Sequence, residues 1–180
     1  MGIGGFGLLV VAILTASNVT AETNTNCETL REAVVCQPSL LWKQVTEFPY
    51  GSYETKPTGN AAVFHLDGRG VGVVQSLPKI SLQDSHTADE LAEFWVKRLL
   101  DYDDIILSTP WSSLEKTIDG VKSYGRTTAF ELDGRALVLR GNFVRTQRGD
   151  LLIHSFLNKK INWQAGDYLH NRLIAAVTLR

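Results

Sequence analysis

The chain has 180 residues, of which 44% are hydrophobic, and its 18 Lys and Arg against 19 Asp and Glu give a net charge of −1. This ordinary globular composition excludes a disordered chain, a disulfide-dense mini-protein and a protein with many membrane spans. The balanced charge provides no basic face for phosphates, so nucleic acid is not expected as a partner.

Residues 1–21 have the pattern of a secretory signal peptide. They carry no charged side chain, and the apolar run from Phe6 to Ala16 is about eleven residues long, too short for the ~20 residues of a membrane-spanning helix. Small and aliphatic residues precede the bond after Ala21, where we expect cleavage. A basic segment before the run is missing, which leaves an uncleaved anchor as the alternative. We therefore expect an exported protein, periplasmic or secreted, with no transmembrane segment in the mature chain.

The two cysteines, Cys27 and Cys36, predict a structural disulfide in an exported chain. A straight helix between them would separate them by about 13.5 Å along its axis, beyond the ~7 Å that a disulfide allows between Cα atoms, so the chain must fold back. A catalytic dithiol or a zinc site is the alternative, although the spacing is not Cys-x-x-Cys and further ligands are missing. The predicted organisation is a signal peptide (1–21), an N-terminal segment with the disulfide (22–44) and a single α+β domain (45–180).

Regular patterning begins at residue 61 with a β-hairpin. The β-rich runs Ala61–Leu66 and Val71–Leu77 flank Asp67-Gly68, a strong hairpin signal. A helix follows, because Thr87 and Glu90 form the sequence pattern of a capping box. Helical spacing then places four large side chains on one face of this helix: Leu91, Trp95, Leu99 and Tyr102.

The second half of the chain predicts strands and a last helix. Runs at 104–109 and 113–119 are expected to be strands, the first ended by Pro110. Three longer runs form an antiparallel meander: Lys122–Leu132, Arg135–Thr146 and Leu151–Leu157. The final helix is expected to start near Asn162 and to continue to the carboxyl end with one apolar face: Leu169, Leu173, Ala176 and Val177.

This order of hairpin, helix, strands, meander and helix, over roughly Val45 to Leu179, resembles the PsbP-like superfamily, which includes the DcrB-like periplasmic proteins. The resemblance implies an α+β fold in which an antiparallel β-sheet is packed with helices as an α/β/α sandwich. It also implies a non-enzymatic accessory or assembly factor. It transfers no functional residue, because no family motif matches these positions. A cystatin-like or other helix-on-sheet fold is the alternative.

A search for catalytic or metal-binding patterns assigns no catalytic residue, no metal and no cofactor. The four histidines, His65, His86, His154 and His170, are far apart and lack metal-ligand spacing. Nucleophile-elbow and phosphate-loop motifs are absent from the sequence. The acidic cluster at 101–104 lacks the glycine and the distal glutamate of a calcium loop.

Hairpin register predicts one polar row across the meander. If Asp133-Gly134 is a two-residue turn, Arg140 lies opposite Thr127, and a four-residue loop over Gln147–Asp150 puts Asn142 opposite Ser155. One face of the sheet then carries Thr127, Arg140, Asn142 and Ser155. The opposite face is apolar apart from Arg126 and is expected to be the core. The polar face is either solvated, or a ligand site in which Arg140 binds an anion or carboxylate that the other three orient.

The sequence therefore favours an exported, non-catalytic accessory or binding protein, with a protein partner or a small anionic ligand. A small periplasmic or secreted hydrolase, whose carboxylates and histidines meet only in the fold, is one alternative. The other is an inhibitor or immunity-type protein that blocks its partner with an exposed aromatic patch around 42–53 or Trp111. Trp42 and Trp111 otherwise seal the edges of the sheet.

Overall fold

The computed structural model describes residues 26–45, 60–78, 85–101 and 105–180. The predicted signal peptide, residues 46–53 of the predicted aromatic patch, and Tyr102, Asp103 and Asp104 lie outside the described residues. In chain order the elements are β1 (Cys27–Thr29), β2 (Ala33–Cys36), β3 (Trp42–Val45), β4 (Ala61–Leu66), β5 (Gly70–Ser76), α1 (Ala88–Arg98), β6 (Ile106–Leu107), β7 (Ser112–Ser113), β8 (Lys116–Ile118), β9 (Val121–Leu132), β10 (Arg135–Thr146), β11 (Gly149–Asn158), α2 (Trp163–Ala175) and β12 (Val177–Leu179).

The main sheet is antiparallel, with strand order β3-β4-β5-β11-β10-β9-β6 and with β7 and β8 also paired to β9. Both predicted hairpins and the meander are present. The turn between β9 and β10 consists of Asp133 (φ 50°) and Gly134 (φ 69°), the left-handed pair that a two-residue hairpin turn requires. The sheet is therefore built largely from local hairpins.

Helix α1 covers one face of this sheet and begins at the predicted capping box. The Thr87 N–H donates to Glu90 Oε2 at 2.7 Å, and the Glu90 N–H donates to Thr87 Oγ1 at 3.3 Å. Val96 of the helix packs on β10 at Gly141, where an added Cβ would lie 2.8 Å from both Val96 methyl carbons. The core on this side contains mostly the residues predicted from strand alternation, including Phe130, Leu139, Phe143 and Phe156.

Arg126, the charged exception on this apolar face, is paired with α1. Its Nη1 contacts Asp89 Oδ1 at 2.8 Å, and its Nη2 contacts Glu93 Oε2 at 3.2 Å. The charge is thereby matched by two carboxylates on the helix that packs over it. The pairing fixes the position of α1 on the sheet.

Helix α2 covers the opposite face, which completes the predicted α/β/α sandwich. Leu173 of α2 lies over Gly72 of β5, where an added Cβ would be 2.9 Å from a Leu173 methyl carbon. Trp42 is fully buried in the same core, together with Phe64, Val144, Ile153 and Leu169. The α+β class and the layer arrangement predicted from the sequence are confirmed.

A second, three-stranded sheet has the order β1-β2-β12. Cys27 and Cys36 lie directly opposite each other in the β1–β2 hairpin and form the predicted disulfide. Strand β12 from the carboxyl end pairs with β2, so the two ends of the described chain meet in one sheet. The buried Glu32 carboxylate accepts hydrogen bonds from Arg31 and from Ser76 at the end of β5, which joins the hairpin to the main sheet.

Three predicted details are wrong. The last helix ends at Ala175, and Val177 enters β12 because pairing with β2 overrides the helical spacing. The run 113–119 is interrupted after Ser113 and forms two short strands. The β10–β11 turn contains only residues 147 and 148, because Thr146 pairs with Gly149. Each residue of β10 therefore pairs with a β11 residue two positions earlier than predicted. Arg140, for example, lies opposite Ser155.

Candidate functional site

The four residues of the predicted polar row lie together on the face covered by α2. Thr127, Arg140 and Ser155 pair in one line across β9, β10 and β11, and Asn142 follows on β10. The register error of two residues leaves them on the same face, because side chains alternate with period two. Of the two alternatives for this face, the solvated one is not observed: Arg140 is 1% exposed and Asn142 and Ser155 are fully buried beneath the helix.

His170 of α2, which the sequence search left without a role, joins this row. Ser155 Oγ lies 2.9 Å from His170 Nδ1, and His170 Nε2 lies 2.9 Å from Asn142 Oδ1. The Asn142 side-chain amide donates to the Leu114 carbonyl at 3.1 Å and to Ser123 Oγ at 3.2 Å. Because the Asn142 oxygen is an acceptor, His170 donates from Nε2 and accepts the Ser155 hydroxyl proton at Nδ1. The buried polar groups of these side chains are thus paired with one another and with backbone.

Burial, aided by the nearby charges of Arg140 and Lys116, lowers the pKa of His170 to about 3. The imidazole is therefore neutral at pH 7, as its hydrogen bonds require. The order Ser155, His170, Asn142 resembles a nucleophile, a base and an orienting group. All three are fully buried, however, and no substrate reaches Ser155 Oγ while α2 is seated. The arrangement is suited to holding the helix on the sheet.

Arg140 lies beneath the first turn of α2. Its guanidinium carbon is 4.4 Å from the centroid of the Trp163 ring, and its Nη2 donates to the Trp163 carbonyl at 3.3 Å. Gly166 leaves the space for it, since a Cβ at that position would lie 2.9 Å from Nη1. This is the one hydrogen bond that the Arg140 side chain makes among the described residues, although a guanidinium carries five N–H donors.

The electrostatic setting of Arg140 is unusual because no carboxylate of the described residues contacts it. Burial lowers its pKa and nearby Asp167 opposes this effect, but an arginine remains charged. Asp167 itself contacts Lys116 Nζ at 3.1 Å and accepts from Asn171 Nδ2 at 3.1 Å. The first turn of α2 contains no acidic residue to offset the positive end of the helix dipole. Two sources of positive potential therefore meet at this point, an environment that favours an anion.

The remaining sequence candidates do not form a second reactive cluster in the described part of the chain. His154 is buried on the α1 face, where it packs edge-on against Phe156, and burial lowers its pKa to about 3. Within the described ranges, no group of three or more His, Cys, Asp and Glu residues is placed to hold a metal ion. Neither helix that the structure describes is long and apolar enough to cross a membrane. Trp42 is buried and Trp111 packs at the edge of the α1-side core.

Sequence reasoning did not place His170 and the predicted last helix over the polar row, and two glycines were the available signal. Gly166 interrupts a helix four residues before His170, and Gly125 interrupts the long strand β9. An added Cβ at 125 would meet Asn142 Nδ2 at 2.8 Å. Glycine inside a regular element commonly marks a close approach. Here both positions make room for the polar row.

Solved structures with similar folds come from three different organisms. Cyanobacterial PsbP (CyanoP) from Synechocystis sp. PCC 6803 is 17% identical, with 82% of this chain and 86% of that chain covered and a TM-score of 0.48. PA94 from Pseudomonas aeruginosa, a protein of unknown function, is 14% identical, with 87% of this chain and 97% of that chain covered and a TM-score of 0.47. The Saccharomyces cerevisiae Ran-binding protein Mog1p is 14% identical, with 86% of this chain and 96% of that chain covered and a TM-score of 0.49. No family model and no curated protein sequence matches this chain. Each of these is a similarity of fold, at 17% sequence identity or less.

Proposed function

We propose that this protein is an exported, non-catalytic binding protein that recognises an anionic group at Arg140, beneath the first turn of α2. The observation that carries the proposal is a guanidinium that is 1% exposed, makes one hydrogen bond and has no carboxylate in contact among the described residues. A buried charge without a counter-charge is costly. A bound carboxylate or phosphate supplies that counter-charge and accepts the remaining donors in pairs.

Trp163 covers Arg140 and is the natural point of entry. The ring stacks on the guanidinium at 4.4 Å while the residue is 58% exposed, so rotating it away sacrifices little buried surface. Thr127 is committed to the Leu139 carbonyl at 2.8 Å, and Asn142 and Ser155 are committed to His170. In this proposal Arg140 contacts the anion, and the other three residues of the predicted site hold α2 and β10 in place around it.

A binding role is also supported by the burial of the Ser155–His170–Asn142 row, which has no open path to a substrate in the described structure. The Cys27–Cys36 disulfide fits an oxidising compartment, as does the sequence pattern of a signal peptide in residues 1–21. Export is part of the proposal on these two grounds.

The test is a titration of the purified protein with sodium phosphate and, separately, with sodium acetate at constant ionic strength and pH 7. Acetate stands for a protein carboxylate and phosphate for a phosphorylated ligand. The readout is the indole N–H resonance of Trp163, assigned with Trp163→Phe. We expect a saturable shift of this resonance with one of the two anions. The shift should be weaker in Arg140→Lys, because lysine lacks the planar guanidinium that binds an anion through two N–H groups, and it should be lost in Arg140→Met.

Arg148→Met is the matched control, because Arg148 is exposed in the β10–β11 turn and leaves the site untouched. Its titration should equal that of the wild type. Should Arg140→Met fail to fold, Trp163→Ala keeps the guanidinium and uncovers it, and anion binding, measured in this variant by calorimetry because the indole reporter is gone, should become tighter. The proposal is wrong if neither anion produces a saturable shift, or if Arg140→Met binds as the wild type does.

A further inference from the structure

The turn before β3, residues 39–42, carries two exposed leucines and is called the leucine turn below. Leu40 is 91% exposed and Leu41 is 57% exposed. They are the two central residues of the turn, which is closed by the Trp42 N–H donating to the Ser39 carbonyl at 3.0 Å. Single exposed apolar residues are common on protein surfaces, but two neighbours at the tip of one turn form a protruding apolar point.

The leucine turn is held in place on both sides of the two leucines. Trp42 is fully buried in the core beneath α2. Arg172 Nη2 of α2 donates to the Pro38 carbonyl at 2.9 Å, and Gln37 Nε2 donates to the Ser39 carbonyl at 3.1 Å. The two leucines are therefore presented on a fixed backbone, and a partner that buries them does not have to order a loop first.

The leucine turn lies at the same end of the main sheet as the β4–β5 turn and the loop that follows β11. Trp42 at the start of β3 pairs with Leu66, the last residue of β4. The carbonyl of Arg69, in the β4–β5 turn, accepts the Asn158 N–H at the end of β11 at 2.8 Å. Because neighbouring strands lie about 4.8 Å apart, β3 and β11 are about 14 Å apart at this end. The three segments therefore form one surface.

This surface is positively charged. Residues 38–43, 67–69 and 159–162 contain four basic side chains, Lys43, Arg69, Lys159 and Lys160, against the single acidic side chain of Asp67. Asp67 contacts Lys43 Nζ at 3.5 Å, and the other three basic side chains are exposed and make no ion pair in the described part of the chain. Since the whole chain has a net charge of −1, the positive charge is local to this end.

We propose that this end of the protein binds the surface of an anionic lipid bilayer. Leu40 and Leu41 enter the boundary between headgroups and acyl chains, and Arg69, Lys159 and Lys160 contact the lipid phosphates. An apolar tip with basic flanks matches such a surface, because the apolar side chains leave water while lysine and arginine meet negative headgroups. A protruding tip also suits a deformable lipid layer, whereas a flat protein surface would leave its sides in water.

The attachment point of the amino-terminal segment supports the same orientation, and this argument alone rests on the proposed export. The carbonyl of Asn26, the first described residue, accepts the Gln37 N–H at 3.1 Å. Gln37 precedes Leu40 by three residues and therefore lies within about 11 Å of it. Residues 1–25, which include the apolar run of the predicted signal peptide, thus join the protein on the side of the leucine turn.

The experiment is co-sedimentation with lipid vesicles. The exported protein is purified without detergent, which leaves behind any chain still anchored through residues 1–21. It is mixed with vesicles of phosphatidylglycerol and phosphatidylcholine and, separately, with vesicles of phosphatidylcholine alone. The test variant is Leu40→Ser with Leu41→Ser. The matched control is Ile106→Ser with Leu107→Ser, the same kind of change at two neighbouring residues that are 70% and 46% exposed on β6, at the opposite edge of the sheet.

We expect the wild type to bind the mixed vesicles, and to bind phosphatidylcholine alone at least about tenfold more weakly. The test variant should bind the mixed vesicles at least about tenfold more weakly than the wild type, because its turn gains nothing by leaving water, and the control should bind as the wild type does. Lys159→Gln with Lys160→Gln should also bind the mixed vesicles more weakly.

The anion site is tested separately in the same variants. Arg140→Met should keep its affinity for the vesicles, and Leu40→Ser with Leu41→Ser should keep the anion-induced shift at Trp163, so that failure of one site does not imply failure of the other. The membrane proposal is overturned by any of three results: no binding to the mixed vesicles, equal binding to both kinds of vesicle, or equal affinities of the test and control variants.

Discussion

Two buried histidines of this protein provide a matched test of the polar row. His170 and His154 are 0% and 3% exposed, and burial lowers the pKa of each to about 3. His170 is hydrogen-bonded through both ring nitrogens, whereas His154 Nδ1 has no partner and no hydrogen bond to the His154 ring is present among the described residues. His170→Leu and His154→Leu therefore change the side-chain volume equally, but only His170→Leu removes hydrogen bonds of the ring.

His170→Leu leaves the Ser155 hydroxyl and the Asn142 carbonyl oxygen buried without partners. Each such group costs about 1–3 kcal/mol, so we expect a loss of about 2–6 kcal/mol in the free energy of unfolding. His154→Leu removes no hydrogen bond seen in the described structure, and its volume is nearly conserved, so we expect a change within about 1.5 kcal/mol.

The assay is urea unfolding followed by circular dichroism at pH 7. With a slope of about 2 kcal/mol/M for a chain of this size, the midpoint of His170→Leu should fall by about 1–3 M, and that of His154→Leu by less than about 1 M. Ser155→Ala provides an intermediate case, because it leaves one buried ring nitrogen unpaired. Equal destabilisation by His170→Leu and His154→Leu would refute the assignment of the row as the interaction that holds α2.

Three further predictions concern the same fold. In the unfolded state both histidines take up a proton below a pKa of 6.5, whereas in the folded state they stay neutral down to about pH 3. The free energy of unfolding should therefore decrease as the pH is lowered from 6.5 to 3, by up to about 1.4 kcal/mol per pH unit for each histidine. His154→Leu should remove the contribution of one histidine to this pH dependence, measured by urea unfolding at about pH 6, 5 and 4. Gly141→Ala places a Cβ 2.8 Å from both Val96 methyl carbons and should cost about 1–3 kcal/mol, and adding Val96→Ala should recover part of the Gly141→Ala loss in a double-mutant cycle rather than add its full cost. The double variant Cys27→Ser and Cys36→Ser opens a loop of about ten residues and should lower stability by about 2–3 kcal/mol, whereas reductant should destabilise the wild type and leave the double variant unchanged.

Local signals in the sequence were enough to find most of the elements. Asp67-Gly68 and Asp133-Gly134 define two hairpins, and Thr87 with Glu90 defines the start of α1, because each signal depends on atoms within a few residues. The end of α2 was mispredicted for the opposite reason. Val177 has helical spacing in the sequence, but its conformation is decided by pairing with Val35, far away in the chain.

The polar row could be predicted as a face but its environment could not. Period-two alternation places Thr127, Arg140 and Ser155 on one side of the sheet, and that result survives the error of two residues in the second turn. Whether the face meets water or a helix depends on the path of α2 after Asn162, for which strand alternation carries no information. Arg126 shows the same limit on the other face, since its partners Asp89 and Glu93 lie on a helix more than thirty positions earlier.

The start of α2 concentrates positive potential, and salt tests what that potential does. Arg140 and the helix dipole add there, and the described structure provides no contacting carboxylate. Anion recognition at this point relies on charge and therefore weakens as salt rises. The hydrogen bonds of the Ser155–His170–Asn142 row are buried and join neutral groups, so salt screens them far less. Raising the ionic strength should therefore weaken anion binding at Arg140, measured by titration, well before it weakens the attachment of α2, measured by urea unfolding, and this difference separates the two roles in an otherwise unchanged protein.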